Sequence, residues 1–331
     1  MKHLFIINPK AGLVRDRKDR IIEEIKNFFG NYPEFSYEIH LTRWKRDAVG
    51  FTRRYLSRSA ELVRVYATGG TGTLFEIINA VAGLPNAQVA YYPHGRIDSF
   101  IRVFGENKEP LFHSLRNLVF APVIGLDMIK WGNNFGINGC FIGLSALSYQ
   151  DSSRLLEKTG FPYHEMTFHL AQIKRLLMGK TLQYYRIELD GQKLNGEYLN
   201  VTIANVPHIG VRALPAVEAS PIDGVLHLYL IKKIPRARAL QVFADYEAGR
   251  YKKWPEYVSH HLGKRIFISS SAMMTIAFDG EIFYNDRLQY DIIPRGIDFV
   301  CPEGTHPARN IFSAPKYAEA PQAREDPDVD K

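Results

Sequence analysis

Over the first 105 residues, short wholly apolar runs alternate with segments whose apolar positions recur at helical spacing. His3 to Asn8 reads as an opening strand. Residues 17 to 29 set Ile21, Ile22, Ile25, Phe28 and Phe29 along one helical face, with Gly30 where a helix would stop. A strand near 35 to 42 and a basic helix near 46 to 58 follow, then a strand from Leu62 to Thr68, a glycine-rich turn and a helix from Leu74 to Ala82. A further strand over 87 to 92 ends at Pro93, His94 and Gly95. This order predicts consecutive βαβ units around a parallel sheet.

After about residue 120 the period changes. Short alternating segments at 183–189, 198–205, 225–231, 265–269 and 273–278, punctuated by Gly, Asn and Pro, predict an antiparallel β-sandwich. Helices are expected near 164–178 and 235–248. From Ala314 to Lys331 the chain is rich in Pro, Ala and charge without periodicity, and disorder is expected there. At 331 residues the chain is longer than one hydrophobic core usually serves. The division expected is an α/β domain over 1–120, a β-sandwich over 121–296, a segment over 297–313 that returns to the first domain, and a tail over 314–331.

Composition changes this picture little. Hydrophobic residues at 46% and charged residues at 23% are those of an ordinary globular protein. The N-terminal apolar run, Leu4 to Ile7, is too short for a signal-peptide core or a membrane span, so a cytoplasmic location is expected. Cys140 and Cys301 form no motif and read as two buried thiols. The net charge of +7 favours anionic ligands. Basic clusters at Arg43, Lys45 and Arg46, at Arg53 and Arg54, at Lys232 to Arg238 and at Arg250 to Lys253 leave peripheral contact with an anionic membrane open. Nucleic acid is not an expected partner, and a homodimer is left open. His260-His261, and His164 with His169, lack metal-like spacing and read as core or surface histidines.

The strongest local feature is Ala67-Thr68-Gly69-Gly70-Thr71-Gly72-Thr73, between a buried strand and an amphipathic helix. Glycines there let backbone amides close on a phosphate, and the helix N-terminus adds unpaired N–H donors and a favourable dipole. No Gly-Lys-Ser/Thr follows, so it is not a P-loop, and it does not fit the dinucleotide fingerprint. Two other strand ends carry comparable loops, Asn8-Pro9-Lys10-Ala11-Gly12 and Pro93-His94-Gly95-Arg96. Ligands of open α/β sheets bind beyond the carboxyl ends of the strands, where all three loops would converge.

These loops resemble those of the diacylglycerol and sphingosine kinase catalytic domain, including its bacterial lipid-kinase members. The resemblance rests on Asn8-Pro9-x-Ala-Gly12, on Gly69 to Thr73 with Glu76 and Asn79, and on Pro93-x-Gly95 with Phe100 and Arg102. It continues through Asn138, Gly143 and Ala146, Pro215-Ala216, Asp223-Gly224-x-Leu226 and Asp279-Gly280-Glu281, in the family's order to about residue 312. It implies a two-domain kinase that binds ATP with Mg2+ in the interdomain cleft and phosphorylates a lipid hydroxyl. On the family's pattern Asp279 is the general base with Glu281 beside it, and Thr42 contacts the nucleotide. Asn8, Pro9, Gly12, Gly69, Gly70, Thr71, Gly72, Thr73, Glu76, Gly95 and Arg96 line the nucleotide site. Asp223 matches a structural metal position, and Asp127 is what remains of the acidic network near the phosphates. Taken alone, an Asp-Gly pair reads as a hairpin turn.

The chain departs from the pattern at the phosphates. Thr71 stands where the family has aspartate, Arg96 where it has threonine, Asp98 where it has asparagine and Ser99 where it has aspartate. Mg2+ prefers carboxylate and water oxygens, so these exchanges weaken a metal site, whereas Arg96 is a bidentate phosphate binder. Two functions therefore stand side by side: an ATP-dependent lipid kinase, and a kinase-fold protein that binds a nucleotide or phospholipid without turnover. A kinase for a soluble metabolite is a third, which the β-rich second half favours less.

Overall fold

The computed structural model describes residues 1–11, 17–95, 99–159, 164–178, 181–209 and 213–307. Gly12, Arg96, Asp98 and the tail from residue 308 lie outside the described residues. Strands β1 (Lys2–Ile7), β2 (Ser36–Leu41), β3 (Val63–Gly69) and β4 (Ala87–Pro93) alternate with helices α1 (Arg17–Gly30), α2 (Asp47–Ser57) and α3 (Thr71–Val81). The four strands are parallel in the order β2-β1-β3-β4. Seven buried positions in β3 and five in β1 explain the unbroken apolar runs, since helices cover both faces of a parallel sheet. Phe5 stacks on Tyr66 across β1 and β3 at 4.1 Å between ring centroids.

A 3₁₀ turn (Ser99–Phe104) and two short helices, α4 (Glu109–Phe112) and α5 (Leu115–Phe120), lead to the second domain. Its strands are β5 (Val123–Trp131), β6 (Asn134–Gly136), β7 (Gly139–Gly143), β8 (Gln183–Leu189), β9 (Gln192–Lys193), β10 (Gly196–Tyr198), β11 (Asn200–Ala204), β12 (Leu226–Ile231), β13 (Val258–Gly263), β14 (Arg265–Phe278) and β15 (Glu281–Val300). Their mutual pairings are antiparallel. Helices α6 (Leu144–Thr159), α7 (His164–Met178) and α8 (Arg236–Glu247) lie between them. A core built on Trp131, Cys140, Ile142, Tyr185, Phe278 and Tyr290 also takes in Phe75 of α3, so the two domains share buried contact.

Four features differ from the sequence expectation. Helix α6 replaces part of the expected short-strand region; Ser145, Ser148, Gln150 and Ser152 are buried polar residues on it, which blurs its apolar period. The segments at 265–269 and 273–278 are one strand, β14, whose register slips between Ser269 and Met274. Strand β15 runs unbroken across residue 296, with a register shift between Ile293 and Ile297, and Phe299 pairs in parallel with Val89 of β4. Helix α3 begins at Thr71 rather than Leu74, so Thr71, Gly72 and Thr73 form its first turn and Gly70 caps it. No helix among the described residues is long and apolar enough to cross a membrane.

Candidate active site

The parallel sheet brings the expected loops together. His94 N–H donates to Gly69 O at 2.8 Å, and Asn8 N–H donates to Thr68 O at 3.0 Å. A Cβ on Gly70 would stand 3.3 Å from Gly95 Cα, and one on Gly69 would stand 2.4 Å from Thr73 Oγ1 and 3.3 Å from Asn8 Cβ. A side chain at Gly69 would therefore displace Thr73, and one at Gly70 would press on the backbone of Gly95. At Gly72 the same construction meets nothing within 4 Å, so the first turn of α3 has an open side. Thr73 and Leu74 N–H donate to Gly70 O at 3.0 and 3.1 Å, so the first-turn amides left to meet a ligand are those of Thr71 and Gly72. Asn8 folds back on its own loop, its Oδ1 accepting from Lys10 N–H at 3.0 Å, and Pro9 follows it at the mouth. Thr42 N–H donates to Ile7 O at 2.9 Å, which places Thr42 at the same end of the sheet.

Glu76, one turn further along α3, points to the start of α2, where its Oε1 accepts from Arg46 N–H at 2.9 Å. Burial pushes its carboxyl up, and the amides of Arg46 and Ala48 pull the other way. In this geometry Glu76 ties α3 to α2. Lys45, beside it, pairs with Glu281 of the second domain.

Asp279 sits opposite. Phe278 pairs with Glu281, leaving a two-residue hairpin of Asp279 and Gly280 at φ 46° and 86°, the left-handed pair of a type I′ turn. The turn is more than a turn, because the Asp279 side chain folds inward and is only 7% exposed. Its Oδ2 accepts from Ile137 N–H at 2.7 Å, and its Oδ1 accepts from Asn138 and Gly139 N–H at 3.0 and 2.9 Å. Burial pushes its carboxyl up to about 6 against the pull of those three amides. Tyr149 Oη donates to Gly280 O at 2.8 Å and braces the turn from α6.

Asn79, which stands in the sequence pattern without an assigned contact, connects the two sides. Its Nδ2 donates to Phe75 O and Phe135 O at 2.8 Å each, and its Oδ1 accepts from Phe135 N–H at 2.9 Å. Helix α3, whose first turn faces the phosphate loops, is thereby stitched to the segment that holds Asp279. Phe75 packs edge-on against Phe278 at 5.9 Å, in line with that stitch.

The other two aspartates have different company. Asp127 is buried; its Oδ2 accepts from Gly224 N–H at 2.7 Å and its Oδ1 from Arg295 N–H at 2.8 Å. Burial, and then the charge of nearby Asp223, raise its carboxyl's proton affinity, while those amides lower it. Asp223 accepts from Ser220 and Val225 N–H, both at 3.1 Å, and its Oδ2 lies 3.2 Å from His227 Nε2. Every oxygen of both carboxylates is already aimed at a donor. The described residues thus suit a phosphate at the glycine loop; no acidic side chain stands at residues 69–73 and Glu76, one turn on, accepts from Arg46 N–H, so a Mg2+ ion at this turn would be held through the phosphates and water.

Residues 2–130 match the diacylglycerol kinase catalytic domain, and residues 148–301 match the YegS C-terminal NAD kinase beta sandwich-like domain. The chain thus carries a diacylglycerol kinase catalytic domain followed by a YegS-type C-terminal domain. A protein named "Putative lipid kinase" from Staphylococcus haemolyticus is 24% identical over 266 residues, covering 79% of this chain and 84% of its own. A Staphylococcus aureus relative of the same name is 24% identical over 241 residues, or 71% and 76% of the two chains. A crystal structure of a diacylglycerol kinase from Bacillus anthracis superposes with a TM-score of 0.68 at 20% identity, over 92% of this chain and 98% of that one. The parallel sheet followed by antiparallel strands seen here agrees with that pair of matches.

Proposed function

We propose that the protein is a lipid kinase that moves the γ-phosphoryl group of ATP to a lipid hydroxyl. The observation that carries this reading is Asp279: a carboxylate at a strand-end hairpin, buried, raised to about 6, and coupled through α3 to the loop suited to phosphate. A base whose carboxyl titrates near neutrality is matched to taking the proton of an attacking hydroxyl. In the step, the lipid oxygen forms a bond to the γ-phosphorus as the bond to the ADP oxygen breaks, and the hydroxyl proton passes to Asp279. The amides of the 69–73 turn, with Gly95 and the Asn8-Pro9 loop, would hold the phosphates, and Thr42 would border the nucleotide. Glu281, paired with Lys45, would keep the two sides of the cleft in register. Amide donors aimed at developing charge commonly supply much of the barrier lowering in such transfers.

The test is transfer of radiolabelled phosphate from ATP to a panel of lipids by the purified protein and by Asp279→Asn. The wild type should label at least one lipid and the variant should fall by about 10²- to 10⁴-fold. Labelling that is equal in the two would remove Asp279 from the chemistry. The rate should climb as pH rises through about 6, as Asp279 ionises. Its effect on stability has the opposite sign. A carboxyl raised from 3.8 to about 6 favours the protonated folded form, so that contribution is full below 3.8 and is lost as pH rises through about 6. Asp279→Asn should flatten both profiles.

A second reading, binding of a nucleotide or phospholipid without turnover, is favoured by Thr71, which puts a hydroxyl in the glycine turn where a carboxylate could hold Mg2+. Calorimetry then shows ATP binding that is insensitive to Mg2+, with no labelled lipid in the transfer assay.

A further inference from the structure

Beside the Gly224–Asp127 contact, four side chains stand in a row along the β12–β13 strand pair. Asp223 Oδ2 lies 3.2 Å from His227 Nε2, His227 Nδ1 lies 3.0 Å from His260 Nε2, and His260 Nδ1 lies 3.1 Å from Glu218 Oε2. Strand register explains the two histidines. Tyr229 pairs with His260 and His227 with Leu262, so His227 and His260 are diagonal neighbours on one face of the sheet. Their planes differ by 16° with centroids 5.1 Å apart, which at a nitrogen separation of 3.0 Å sets the rings edge to edge. The facing nitrogens point at one another.

The proton count is what makes this row informative. A carboxylate only accepts, so His227 carries its N–H on Nε2 toward Asp223, and His260 carries its N–H on Nδ1 toward Glu218. The two facing nitrogens lie 3.0 Å apart, a spacing that one shared cation, a proton or a metal ion, satisfies. An imidazole whose far nitrogen faces a carboxylate, as His227 Nε2 faces Asp223 Oδ2 at 3.2 Å, is the usual arrangement of a metal-ligating histidine. Among the described residues, Glu218, His227 and His260 are the one group of three such side chains that offer ligand atoms within 4.8 Å of one another.

We propose that His227 Nδ1, His260 Nε2 and the carboxylate of Glu218 form a binding site for one divalent cation of the zinc or cobalt class. Two imidazoles and a carboxylate suit those borderline metals, whereas Mg2+ takes oxygen ligands. Two nitrogens on a tetrahedral zinc lie about 3.3 Å apart, so the pair has to open by only a few tenths of an ångström. Glu218, whose Oε1 lies 2.9 Å from Lys252 Nζ and whose Oε2 accepts from Tyr251 Oη at 2.9 Å, gives up its contact with His260 to reach the ion, and Tyr251 Oη, 3.2 Å from His260 Nδ1, accepts that N–H in its place. Asp223 keeps its contact with His227 and positions it, so it acts behind the ligand rather than on the metal. Tyr229 stacks face to face on His260 at 4.4 Å and walls the site on one side. In the sheet, β11 and β7 lie between β12 and β14, the strand that leads into Asp279, and metal binding is measured separately from phosphoryl transfer.

The full chain, stripped of metal with a chelator, is titrated with Co2+ and read by visible absorption, then challenged with Zn2+, with metal content measured after dialysis. One Co2+ per chain with tetrahedral d–d bands, displaced by Zn2+ and not by excess Mg2+, is expected, together with a Zn2+-dependent rise in melting temperature. His227→Gln and His260→Gln should each weaken Co2+ binding by at least about 100-fold, and Asp223→Asn by about 10- to 100-fold with the bands retained at saturation. Circular dichroism without metal identifies variants that do not fold, and the wild-type titration stands by itself if one fails. No retained ion in the wild type, which would leave a shared proton between the rings, overturns the proposal. So does Co2+ binding that is unchanged in both histidine variants.

Discussion

At the strand ends of the first domain the chain presents glycines and backbone N–H groups, whereas across the cleft the second domain presents carboxylates pinned by its own backbone. Gly69, Gly70 and the first turn of α3 form the donor side. Asp279 is held by the amides of Ile137, Asn138 and Gly139, and Asp127 by those of Gly224 and Arg295. On the proposed function, the difference lets the cleft accept Thr71 where the family's motif has aspartate: a phosphate needs donors, those would come from backbone that Thr71 does not alter, and the proton acceptor would stand on the other domain.

The comparison can be broken most sharply at Asp279. Asp279→Ala leaves three buried N–H groups without their acceptor, and urea unfolding should show a loss of about 3 kcal/mol or more. A loss below about 1 kcal/mol would mean that the amides do not depend on the carboxylate. Asn79→Ala cuts the link between the two sides. It should cost about 2 kcal/mol and lower kcat more than it raises KM for nucleotide, because the Asp279 cradle shifts while the glycine loop stays. Gly69→Ala tests the donor side alone: its Cβ collides with Thr73, and nucleotide affinity measured by calorimetry should fall about tenfold, or ~1.4 kcal/mol. Smallest is Lys45→Ala. The Lys45–Glu281 pair is exposed on its lysine side, so melting should register less than about 1 kcal/mol and the effect should shrink further in high salt.

The apolar runs of β1, β3 and β4, and the glycines that end β3, were legible because each is a local signal. A strand buried on both faces needs consecutive apolar residues, and a close approach of backbone needs glycine, wherever the rest of the chain lies. The parallel domain, its converging loops and the switch to antiparallel strands followed from that. What pattern alone did not decide is what each polar residue touches. Asp279-Gly280 has the sequence of a hairpin and is one, yet its carboxylate meets amides 140 or more residues away, which no local period encodes. Glu76 sits in the phosphate motif and spends its oxygen on the start of α2. The polar, serine-rich face of α6 hid a helix whose burial only its neighbours explain. His260 read as an ordinary histidine because its partners, His227 and Glu218, are 33 and 42 positions distant and meet it only through the β12–β13 register and the loop before it. Local periodicity and turn chemistry determined the layers; long-range pairing, which brings distant donors and acceptors to hydrogen-bond distance, decided the chemistry at the cleft and at the histidine pair.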